Sequence, residues 1–118
     1  MRILALMLCL VVGPVWAIDD DKISITLGAG AVSCGEVVEQ YRTEWDTWNL
    51  DYTNYINGYI SAYNYLKVGK ANWSEGSDTV GRLLFVVNSC KEHPLGSFKA
   101  GVVALMREFD PAFGHSAF

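Results

Sequence analysis

The sequence predicts an all-α fold, a small four-helix bundle stapled by one disulfide. Three observations point there. Residues 51–67 place large apolar side chains at Tyr52, Tyr55, Ile56, Tyr59, Ile60, Tyr63 and Leu66, the recurrence of one face of an amphipathic helix over about four turns. Three further apolar stripes have the same period and are bounded by capping residues or prolines. Cys34 and Cys90 are the two thiols that remain once an apparent export signal is removed, and an even pair in an exported chain reads as a disulfide.

At 118 residues the chain is long enough for one domain. Met1-Arg2 is followed by an apolar run over residues 3–12 and by Val15-Trp16-Ala17, the pattern of a secretory signal peptide. The run is too short to span a bilayer, which takes about 20 apolar residues. Cleavage after Ala17 removes Arg2 and Cys9, leaving eight Lys and Arg against thirteen acids, a formal charge of −5. An acidic chain without clustered Lys and Arg does not fit a nucleic-acid backbone. The expected divisions are a signal peptide (1–17), an extended arm and linker (18–32), a helical domain (33–110) and a tail (111–118). The mature protein is expected to be periplasmic and free of the membrane.

Asp19-Asp20-Asp21-Lys22 reads as a solvated start, since no glycine turn and distal glutamate follow to build a calcium site. Residues 22–27 alternate Ile23, Ile25 and Leu27 with Ser24 and Thr26, a short extended arm. Gly28-Ala29-Gly30 opens like a dinucleotide loop, but Ser33 stands at the third glycine position and no βαβ unit surrounds it. It reads as a linker.

Ser33 with Glu36 three positions later is a capping box. It opens a first helix whose face is Val37, Val38, Tyr41 and Trp45. Trp45, Asp46, Trp48 and Asn49 are read as a connection. The tyrosine helix then starts on a cap at Asp51 or Thr53 and stops in a left-handed turn at Gly69. Gly58, Ser61 and Ala62 are small enough to admit a neighbouring helix. A polar connection over residues 70–77 carries Trp73, Glu75 and the glycosylation-type triplet Asn72-Trp73-Ser74. Ser77 or Asp78 caps a third helix with the face Val80, Leu83, Leu84, Val87 and Cys90, stopped at His93-Pro94. Ser97 caps a fourth, with Phe98, Val102, Leu105, Met106 and Phe109, ending before Pro111. Residues 113–118 are expected to fray.

A disulfide between Cys34 and Cys90 would tie the first turn of helix one to the last turn of helix three. Closing a loop of that length removes about 4 kcal/mol of unfolded-chain entropy. A redox or metal pair would need a Cys-x-x-Cys spacing or a histidine cluster, and neither is present. His93 and His115, the two histidines, have no nucleophile or carboxylate that the sequence pairs with them. No convergent acid, base and nucleophile can be named, so no enzyme, metal or cofactor is expected.

Several segments together resemble a known family. Cys34-Gly35-Glu36 opens one helix, Gly58-Tyr59-Ile60-Ser61-Ala62-Tyr63-Asn64 lies inside the next, and Val86-Val87-Asn88-Ser89-Cys90 precedes His93-Pro94-Leu95. This order resembles the bacterial HdeA-like superfamily, and within it the Tai-type immunity proteins, over about residues 33–109. The resemblance implies a periplasmic all-α domain with its disulfide at Cys34 and Cys90. It also implies either an immunity protein that blocks a type VI amidase effector or an acid-activated chaperone. The chaperones tend to have a Lys-rich, Asp-rich surface that this chain lacks, which favours the immunity branch or an uncharacterised relative. An envelope accessory role is a third option.

The partner expected from these readings is a single folded protein, a cell-wall amidase effector foremost, with a second copy of the chain also in view. Trp45, Asp46, Trp48, Asn49, Trp73 and Glu75 are the expected contact residues, because tryptophan ringed by polar groups is the composition of an interface hot spot. The alternative is that these rings close the ends of the bundle.

Overall fold

The computed structural model describes residues 26–114. The expected signal peptide, most of the extended arm, and His115 with the end of the tail lie outside them. The described chain runs from a short 3-10 turn, Gly28–Ala31, into α1 (Cys34–Thr43), α2 (Trp45–Leu66), α3 (Thr79–Glu92) and α4 (Phe98–Phe109). Among the described residues there is no strand, only one isolated bridge between Ser33 and Ser97.

The expected helix starts are built by short oxygen acceptors. Ser33 Oγ accepts from Glu36 N at 3.3 Å, Asp78 Oδ1 from Gly81 N at 2.7 Å, and Ser97 Oγ from Ala100 N at 3.2 Å, each satisfying an orphan donor of a first turn. The starts of α1 and α4 are then laced together, with Cys34 N donating to Gly96 O at 2.8 Å and Phe98 N to Val32 O at 2.9 Å.

Helix α3 is the centre of the packing, lying against α1, α2 and α4. Leu83, Val86, Val87 and Cys90 form its buried stripe. At the α3–α4 crossing a Cβ on Gly101 would sit 2.8 Å from Val86 Cγ1, so glycine is what lets the two helices approach. The disulfide Cys34–Cys90, between residues 56 positions apart, joins α1 to the end of α3. Both cysteines are buried.

Four readings need correction. First, Trp45, Asp46, Trp48 and Asn49 are not a connection. Glu44 alone leaves the helical path (φ −136°, ψ 30°), closing α1 and opening α2. Helix α2 therefore starts at Trp45, six positions before Asp51, with no side-chain cap. It ends at Leu66, and Gly69, with φ +119°, turns the chain only after that end. Contacts one turn apart carry the helix through this polar stretch: Trp45 packs edge-on against Tyr41, ring centroids 4.6 Å apart, and Trp48 Nε1 donates to Glu44 Oε2 at 3.0 Å.

Second, Gly58, Ser61 and Ala62 face solvent, and a Cβ on Gly58 would meet nothing within 4 Å. Third, Val80 is 66% exposed and Leu84 38%, while Val86 is fully buried. The inner stripe of α3 is rotated because α1 and α4 both pack on it. Fourth, residues 28–32 and Phe113 belong to the domain rather than to a linker and a tail. Ala29 and Val32 pack on the core, and the ring of Tyr55 lies over Gly30, where a Cβ would come within 2.2 Å. Phe113 is buried against Tyr63 at 5.1 Å and Tyr59 at 6.2 Å.

Candidate interaction surface

The long α2 carries aromatic residues on three sides, and each side has a different neighbour. Its core side is Tyr52, Ile56, Ile60 and Tyr63. Tyr52 donates to the side-chain oxygen of buried Gln40, and Gln40 Nε2 donates in turn to Glu36 Oε1 at 3.0 Å. Tyr63 donates to the carboxylate of Asp110. Both hydroxyls thus find a partner, as buried tyrosines require. Burial pushes the pKa of each up to about 12, reinforced by Glu36 and Asp51 around Tyr52 and by Asp110 at Tyr63. Burial also raises Tyr55 and Tyr59.

Trp45 and Asn49 stand on a second side of α2. With Tyr41, Thr53, Thr79, Val80, Leu83 and Leu84 they line an open groove of about 460 Å³ between α2 and the first half of α3. Val80 and Leu84, misread as core, are the exposed apolar wall of this groove. Trp48 points elsewhere, into a second groove of about 460 Å³ that it shares with Ala29, Val32 and Tyr55. Trp73 lies at the far end of the molecule. Its ring packs on Tyr63 at 5.8 Å, and its backbone N–H is held by Asn64 Oδ1 at 2.9 Å.

The six expected contact residues therefore do not share one surface. Asn64, which holds Trp73, is sixteen positions after Trp48 on the same helix, about 24 Å at the α-helical rise. Asp46 and Glu75 are both exposed, one near each end. No family model, curated protein or solved structure matches the chain. The surface is therefore read on its own geometry.

Charge divides along α2 and the loop after it. Glu36, Glu39, Glu44, Asp46 and Asp51 lie on α1 and the first two turns of α2, whereas residues 52–74 contain no acid and carry Lys67 and Lys70. The loop after α2 is held by local polar bonds. Asn72 Oδ1 accepts from Ser74 N at 3.1 Å and Ser74 Oγ at 2.9 Å, an Asx turn that accounts for Asn72 and Ser74 of the triplet in structural terms. Arg82 ties the same loop to α3, donating to Ser77 O at 3.0 Å and Thr79 Oγ1 at 3.1 Å.

Among the described residues no group of three His, Cys, Asp or Glu is placed to hold a metal ion, and no helix is long and apolar enough to cross a membrane. His93 is engaged locally, its Nδ1 3.1 Å from Ser89 O. A concavity of about 710 Å³ lies over the turn from α3 to α4, lined by Cys34, Ser89, Glu92, His93, Pro94, Leu95, Gly96, Ala100 and Ala104. Glu92 and His93 stand at its edge, and Cys34 at its wall is held in the disulfide.

Proposed function

We propose that this is an exported, non-enzymatic domain that holds one folded protein partner in the groove between α2 and α3, and that the partner is a cell-wall amidase effector. The observation that carries the binding site is the pairing of exposed Val80 and Leu84 with Trp45, whose ring Tyr41 already holds in place. A pre-positioned aromatic beside apolar surface loses little side-chain freedom on binding. Asn49 and Thr53 supply a polar rim that gives orientation. The choice of amidase rests on the resemblance to the Tai-type immunity proteins.

The test is inhibition of peptidoglycan hydrolysis by a purified amidase effector encoded beside this chain. The expected result is inhibition by the wild-type domain. Val80→Asp and Leu84→Asp should each weaken it by at least about 30-fold, the equivalent of 2 kcal/mol, with melting temperature unchanged. Full inhibition by both variants would remove the groove, and no inhibition by the wild type would remove the amidase.

A second reading, an acid-stress holdase, draws on the tyrosine core held under Phe113 by Asp110. It predicts suppression of client aggregation at low pH. Absence of suppression would end it.

A further inference from the structure

Trp48, Asp51 and Tyr55 follow one another along α2 at spacings of three and four, so they stand on one face of the helix. The turn over residues 28–32 walls the other side. Gly28, Ala29 and Val32 complete with them an open groove of about 460 Å³. Its rings are held before anything binds: Trp48 Nε1 donates to Glu44 Oε2 at 3.0 Å, and Tyr55 packs on Phe98 at 5.9 Å and Tyr59 at 6.1 Å. Asp51 is exposed, and among the described residues its carboxylate has neither an ion pair nor a hydrogen-bond donor. Between residues 26 and 66 the basic side chain is Arg42 alone, and Glu39 already holds it at 2.6 Å. No cation of α1 or α2 is left to answer Asp51.

We infer that this groove takes an arginine side chain presented by a protein partner, its guanidinium stacked on Trp48 and forked onto the Asp51 carboxylate. Aromatic faces attract cations, tryptophan most of all. A planar guanidinium stacks on a ring and offers paired N–H donors to a carboxylate, which an ammonium cannot do. Ala29 and Val32 supply apolar surface for the methylene stem. The lining holds no basic group to receive the α-carboxylate of a free amino acid, so the arginine belongs to a chain. The groove lies on a different side of α2 from Trp45 and Asn49, so it stands independently of the amidase.

The probe is N-acetyl-arginine amide, which carries the side chain without terminal charges, titrated into the isotope-labelled oxidised protein. The indole N–H resonance of Trp48, identified by its loss in Trp48→Phe, is expected to shift saturably with a Kd of about 1 mM. The indole signals of Trp45 and Trp73 should stay in place. Asp51→Asn, an exposed change, should weaken binding about fivefold or more with the melting temperature unchanged. The citrulline counterpart, similar in shape and uncharged, should not bind, and the lysine counterpart should bind more weakly than arginine. Absence of a saturable shift would overturn the proposal. So would an Asp51→Asn variant that binds like the wild type, or equal binding of the citrulline or lysine form. Tighter binding of free arginine would make the groove a small-molecule site, and binding seen only in Lys22→Ala would seat this chain's own Lys22 there. Either result removes the partner.

Discussion

The hydroxyl of Tyr63 donates to the carboxylate of Asp110, 47 positions later in the chain. The bond joins the last turn of α2 to the cap of α4 and sets Phe113 over the aromatic end of the core. Lys67 Nζ, 3.7 Å from Asp110 Oδ2, supports the same carboxylate. The hydrogen bond from Tyr63 is the main reason that Asp110 titrates below its ordinary range. The N–H of Ala112 and Lys67 add to it, while burial works the other way.

A carboxylate whose folded pKa is lowered contributes stability above its unfolded pKa of about 4 and loses it as pH falls through the lower folded value. Asp110→Asn should therefore melt below the wild type at neutral pH. The two should converge as pH drops beneath the usual carboxylate range. Thermal melts across that span check this, and a gap of constant size would refute the assignment.

At the alkaline end the sign reverses. Tyr52 and Tyr63 hold their protons up to about 12 in the folded chain, against about 10 unfolded. Their contribution is complete below pH 10 and is lost as pH climbs towards 12. Phenolate absorbance should rise in two stages, with the second accompanying loss of helical circular dichroism.

The disulfide should leave neither Cys34 nor Cys90 as a free thiol in the oxidised protein under denaturing conditions. Cys90→Ser opens a loop whose closure is worth about 4 kcal/mol in the chain-entropy account, a large share of a small domain's stability. A marked fall in the denaturant midpoint is expected. Two titratable thiols in the wild type would exclude the bridge.

Two glycines should respond oppositely to alanine. Gly58 is helical with open space around it, so Gly58→Ala should stabilise by about 0.5–1 kcal/mol through helix propensity. Gly101→Ala drives a methyl group to 2.8 Å from Val86 Cγ1 and 3.3 Å from Val86 O. It should destabilise by about 1–3 kcal/mol despite the same propensity gain. Chemical denaturation of the two variants side by side decides the signs.

The candidate groove was only half legible beforehand. Trp45 and Asn49 stood out by residue type, but Val80 and Leu84 carry the helical period of α3 and look like core on that ground alone. A period places residues on one side of a helix without saying which part of an apolar arc its neighbours cover.

The sequence by itself determined what is local: the caps Ser33 and Ser97, a start of α3 at Ser77 or Asp78, the stop at His93-Pro94, the tyrosine stripe as far as Tyr63, and the two cysteines. These depend on hydrogen bonds and side-chain spacing within one or two turns. Only the tertiary structure decided where α1 becomes α2, how far α3 is rotated, and that Phe113 is buried. The last two were settled by a contact distant in sequence or by competing burial: α1 and α4 together claim Val86, and Tyr63 holds Asp110. Local preference amounts to a few tenths of a kcal/mol per residue, less than the burial of one large side chain, and at those two places burial prevailed.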